Sequence, residues 1–143
     1  MPQKPPASPG ADERAVLIVN LGSPDSPDEA DVRRYLGEFL MDPRVIDLPW
    51  PVRRLLVSAF ILPKRPKASG EAYASIWTDK GSPLKVATED LAGELDARLD
   101  VPVRWAMRYG TPSIETRLVE LAAAGIKRVN FLALYPHWAM STT

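Results

Sequence analysis

Residues 15–21 read AVLIVNL, a continuous apolar run rich in β-branched side chains that stops at Gly22 and a proline-rich turn. A strand with one wet face alternates apolar and polar residues. This run does not, so both of its faces must be covered, as in a parallel sheet flanked by helices. Working outward, Val101–Met107 alternates, with Val103, Trp105 and Met107 to one side and Arg104 and Ala106 to the other, which reads as a second strand. Val129–Leu134, VNFLAL, reads as a third strand, again buried.

Helical signals fill the gaps. Ser26-Pro27-Asp28-Glu29 opens a helix: Ser26 suits the N-cap, Pro27 the first helical position, and Glu29 completes a capping box. Val32, Tyr35, Leu36, Phe39 and Leu40 then form one apolar stripe. Pro49-Trp50-Pro51 starts a second apolar stretch that runs to Leu62, with Arg53 and Arg54 opposite and a basic exit at Lys64, Arg65 and Lys67. A short helix is expected around Gly70–Trp77. Ser82-Pro83 opens another, with Leu84, Leu91, Leu95 and Leu99 on one side. Thr111-Pro112 opens the last, carried by Ile114, Leu118, Leu121 and Ala122 and stopped by Gly125. The order β, helices, β, α, β predicts an α/β fold of Rossmann-like type, a parallel sheet with helices on both faces.

The 143 residues suffice for one domain with its own core. Net charge is formally zero, which disfavours a nucleic-acid partner. The chain has no Cys and one His, so it holds no cysteine or multi-histidine zinc site. Residues 1–14 are proline-rich, lack apolar periodicity, and read as a disordered tail without the apolar region of a signal peptide; residues 15–143 form the domain. No stretch approaches the roughly 18 apolar residues of a membrane span, so a cytoplasmic protein is expected. The sequence stops directly after a strand, where a further helix should begin, so the sheet reads as incomplete.

In open α/β sheets ligands bind beyond the carboxyl ends of the strands. Three loops gather there: Gly22–Asp25, Arg108–Pro112 and Tyr135–Thr142. They collect a guanidinium, two phenols, an imidazole, an indole and several hydroxyls. That set suits a flat aromatic ligand with anionic substituents. The first turn has one glycine and cannot supply the close backbone approach of a dinucleotide or phosphate loop. Each residue also has a plainer reading: Arg108 as a solvated strand-end charge, Tyr109 and Tyr135 as half-buried aromatics, His137 as a hydrogen-bonded structural histidine, and Trp50–Leu62 as a core helix.

Six motifs in one order run from Ala15 to the last residue: VNLGSP, FLMDPRVIDLP, LPKRPK with YASIW, GSPL, MRYGTPSIE and LYPHWAMSTT. With them the chain resembles the N-terminal part of ferrochelatases. The resemblance implies two similar Rossmann-like halves with a porphyrin in the cleft between them. It implies insertion of ferrous iron, a substrate, into protoporphyrin IX or coproporphyrin III in the last steps of haem synthesis. The catalytic histidine and glutamate of the family are expected in the second half, so no catalytic residue and no metal ligand is expected in this chain. Arg65, or its neighbour Lys64, with Tyr73 and Ser82, falls where family members hold porphyrin propionates. Arg108 and Tyr109 match the family's cleft-lining pair, and Leu21 an apolar position against the macrocycle. His137 sits where relatives carry Gln or His. Trp50–Leu62 matches the lip of the pocket, which meets the membrane surface in membrane-associated members, so a peripheral membrane contact is implied. Met140 falls where animal members place an iron–sulfur cysteine, so no cluster is expected here. The other reading, from the same loops, is a non-enzymatic α/β module that binds a small anion or haem.

Overall fold

The computed structural model describes residues 13–135. Strand β1 spans Arg14–Gly22, β2 Val103–Tyr109 and β3 Arg128–Ala133. All pairings are parallel and the order is β2-β1-β3. Strand β1 is therefore central, and Ala15, Leu17, Ile18 and Val19 are fully or almost fully buried, as its unbroken apolar run requires. It begins at Arg14, within the stretch assigned to the tail, and Glu13 just before it accepts hydrogen bonds from Lys127.

Two layers close on this strand. On one face Leu17, Val19 and Ala106 pack with Ile114 of helix α5 (Ile114–Ala123). On the other, Val16, Ile18, Val103 and Trp105 pack with Ala92 and Leu95 of helix α4 (Pro83–Arg98) and with Leu99 just after it. The alternation of β2 thus holds: Val103 and Trp105 share a face and Ala106 takes the other.

Between β1 and α4 lies a helical hairpin. Helix α1 spans Glu29–Met41, α2 Trp50–Leu55, continuing as π-helix over Leu56–Ile61, and α3 Arg65–Ile76. Helix α3 crosses the entry to α1 so closely that a Cβ on Gly70 would lie 2.6 Å from the Pro27 carbonyl oxygen.

Several expectations are corrected. Helix α1 starts after Asp28, and no capping box forms; the Ser26 hydroxyl instead accepts the Asp28 amide at 3.2 Å, an ST-turn that competes with the cap. Helix α3 starts at Arg65, five residues before Gly70. Helix α4 does not bury Leu84 and Leu91, which stay exposed; it buries Thr88 and Ala92. The Thr88 hydroxyl accepts a hydrogen bond from the Asn20 side chain of β1 and donates to the Leu84 carbonyl, so a polar residue satisfies itself at the interface while leucines one turn away do not reach it. Arg53 does not face solvent: it is 6% exposed and donates to the Ile46 and Leu48 carbonyls, which ties α2 to the segment before it. Strand β3 is not buried. It lies at an edge of the described sheet, with Phe131 54% and Leu132 45% exposed.

Candidate functional site at the strand ends

The carboxyl ends of β1 and β2 meet directly, because Gly22 is the register partner of Tyr109. Gly22 has φ +130°, and a Cβ there would lie 2.0 Å from the Tyr109 carbonyl oxygen, so only glycine lets the strands approach so closely. Two carboxylates, Asp42 and Asp25, organise the side chains around this junction.

Asp42 ends helix α1. Its Oδ1 accepts the Arg44 amide at 2.7 Å, an Asx-turn that fixes the side chain locally. Its Oδ2 accepts from the Arg108 guanidinium at 3.1 Å and from the Tyr109 hydroxyl at 2.9 Å. Burial alone would raise the Asp42 carboxyl, but the hydrogen bonds from Arg44 and Tyr109 and the Arg108 charge outweigh it and hold the group below the ordinary 3.8. Burial, with the Asp42 hydrogen bond and charge, pushes the Tyr109 phenol up to about 12, so it keeps its proton as a donor. The Arg108 guanidinium also lies 5.4 Å from the Tyr109 ring centre.

Asp25 sits in the first strand-end loop. Its Oδ1 accepts from Lys85 of α4 at 2.7 Å and from the Thr111 hydroxyl at 2.6 Å, and its Oδ2 from Arg34 of α1 at 2.9 Å. Burial acts against ionisation, yet the bonds from Lys85 and Thr111, the Lys85 charge and the Arg34 bond lower the carboxyl from 3.8 to about 2. A carboxyl lowered on folding stabilises the fold above its unfolded value and loses that contribution as pH falls toward the folded one. Asp25→Asn should therefore flatten the acid loss of stability between pH 3.8 and about 2. Parallel denaturant titrations across that range check it; identical pH slopes for both proteins would refute the linkage.

An aromatic chain joins the site to the hairpin: Tyr109 meets Phe39 edge-to-face at 5.1 Å, Phe39 lies parallel to Tyr35 at 6.2 Å, and Tyr35 meets Tyr73 edge-to-face at 6.4 Å. Arg108 and Tyr109 are thus brought together, and Tyr73 connects to them through rings. Leu21 lies half-buried at the end of β1. Arg65 lines a separate depression of about 280 Å³ with Leu36, Leu40, Ile61 and Ser69. The depression at Arg108, about 480 Å³, uses other residues of the same helix, Glu38 and Met41. Ser82 is only 4% exposed at the start of α4. His137 lies outside the described residues. Among the described residues, no group of His, Asp and Glu could hold a metal ion, and no helix is long and apolar enough to cross a membrane.

Asp42 and Asp25 were not singled out in the sequence. The Asp-Pro-Arg turn after a helical stripe signals an Asx-turn and hence a fixed carboxylate, but its partners lie 66 and 67 residues away.

The fold and site define a class: a parallel α/β protein whose strand ends carry an arginine and a tyrosine held by one carboxylate. The ferrochelatase family matches residues 13–143, and the chain belongs to that family. It is 61% identical over 132 residues to the ferrochelatase of Pseudomonas fluorescens strain Pf0-1, covering 92% of this chain and 38% of that protein. It is 58% identical over 131 residues to the ferrochelatase of Azotobacter vinelandii strain DJ, covering 91% and 38%. The chain spans less than two-fifths of the length of these curated relatives.

Proposed function

We propose that this chain forms one wall of the porphyrin cleft of a ferrochelatase, which inserts ferrous iron into protoporphyrin IX or coproporphyrin III. The observation that carries the reading is the family's Arg-Tyr pair, Arg108-Tyr109, held at the carboxyl ends of β1 and β2. Iron replaces two pyrrole N–H protons, so the reaction needs a base at the macrocycle centre. The base and the metal-handling group, a glutamate and a histidine, come from the length beyond this chain. This chain binds and orients: Leu21 against the macrocycle, Arg108 and Tyr109 lining the cleft, His137 at its margin, and Arg65 or Lys64 with Tyr73 and Ser82 toward the propionates. Strand β3, with exposed Phe131 and Leu132, is the edge against which the rest of the protein packs. The protein is cytoplasmic and touches the membrane surface through Trp50–Leu62. The test is ferrous iron insertion into either porphyrin by the complete protein, with residues 13–143 alone as the comparison. Turnover by the complete protein and none by the piece supports the reading; turnover by the piece would refute the placement of the catalytic groups.

Support for the lip comes from exposure. Leu55 and Phe60 are 62% and 64% exposed, whereas Val57 between them is fully buried. Phe60→Ser should change the stability of the complete protein by less than about 0.5 kcal/mol. Val57→Ser should cost about 2–4 kcal/mol, since it opens a cavity and buries a hydroxyl. Paired thermal melts read the difference, and equal losses would make the stretch core.

A further inference from the structure

We propose that Asp42 is the positioning residue of the Arg108–Tyr109 pair, fixing both side chains through one carboxylate oxygen and setting the charge they present to the cleft. The inference rests on the functional reading above. Three observations carry it. Asp42 is itself immobilised, by the Asx-turn to Arg44 on one oxygen and by its place at the end of α1, where its amide donates to the Phe39 carbonyl at 3.4 Å. The other oxygen takes both partners at once, so neither can rotate without giving up a charge-assisted bond. The side chain of Asp42 is 13% exposed and that of Arg108 24%, so the pair forms where water screens it weakly, yet it borders the open depression lined by Glu38, Met41, Pro43 and Arg44.

The local charge has a consequence. A guanidinium beside a carboxylate is close to neutral at a distance, so Arg108 offers oriented N–H groups more than net attraction to an anionic porphyrin. Removing the carboxylate's charge adds one positive unit to the cleft wall and leaves one acceptor oxygen to serve the Arg44 amide or the pair, which loosens the hold on both side chains. Binding and turnover should then part company.

The experiment uses the complete protein and measures kcat and porphyrin KM for iron insertion, with melting temperature alongside. In Asp42→Asn, kcat should fall about tenfold while porphyrin KM stays at or below the wild-type value. Asp42→Glu, which restores the charge on a longer arm, should recover part of kcat, ending about threefold below wild type. Adding Arg108→Ala to Asp42→Asn should cost little more kcat than Arg108→Ala alone, because the two act as one unit. A merely structural Asp42 would instead lower the melting temperature and raise porphyrin KM together, and that result overturns the proposal. So does an unchanged kcat in Asp42→Asn. If Asp42→Asn does not fold, Asp42→Glu decides: a kcat equal to wild type overturns the proposal, and a threefold loss at unchanged KM supports it. Absence of insertion by the wild-type protein would refute the functional reading, and this inference with it.

Discussion

Arg108→Ala in the complete protein should weaken porphyrin binding or turnover roughly ten- to a hundred-fold, the equivalent of one charge-assisted contact of about 1.5–3 kcal/mol. The matched control is Arg104→Ala. Arg104 lies four residues earlier on the same strand, is itself exposed, and bonds to Asp96 and to its neighbour's carbonyl, away from the carboxyl ends of the strands. Its loss should change either quantity by less than about twofold, as expected for an exposed pair. Titration of porphyrin by fluorescence quenching, together with insertion rates, separates binding from turnover. Equal effects from the two substitutions would remove Arg108 from the site.

The second large effect is expected at Gly22. Alanine there places a methyl group 2.0 Å from the Tyr109 carbonyl oxygen and adopts a φ of +130° that side chains avoid. The strands must separate or Tyr109 must shift, and the stability of the complete protein should fall by about 2–4 kcal/mol, the combined scale of backbone strain and overpacking. Gly93→Ala serves as the contrast. Gly93 sits within α4, where a methyl group added to its Cα would meet no atom within 4 Å beyond its own stretch of helix backbone, so alanine should stabilise by about 0.5–1 kcal/mol. Urea unfolding of both variants measures the pair. Gly22→Ala with wild-type stability would mean that the close strand approach is not maintained in solution.

The run AVLIVNL was decisive because burial on both faces erases alternation, and that signature is local. The strand order was not local. VNFLAL reads as buried for the same reason that AVLIVNL does, yet β3 lies at an edge of the described sheet, because periodicity reports what a strand needs covered and not what covers it. Arg53 shows the converse: an arginine on an apolar helix reads as solvated, but two nearby carbonyls give it a buried place. The Arg-Tyr pair was legible as a motif at a strand end. Asp42, its anchor, was not, because the contact depends on α1 returning to the end of β2 across more than sixty residues.

The central position of β1 has a consequence for biosynthesis. The strand made first is the one that both others need, and Val16 must wait for Val103 to be translated before it can pair. At roughly 5–20 residues per second, the ribosome takes on the order of ten seconds to supply that partner. Through that interval one of the most apolar segments of the nascent polypeptide has no sheet to join. The packing of α1 against α3 closes over a shorter stretch of chain than the pairing of β1 with β2, so it can form earlier. Slowing translation between residues 22 and 103 should therefore lengthen the dependence of this polypeptide on chaperones, whereas slowing it after residue 109 should not prolong the wait for the first strand pairing.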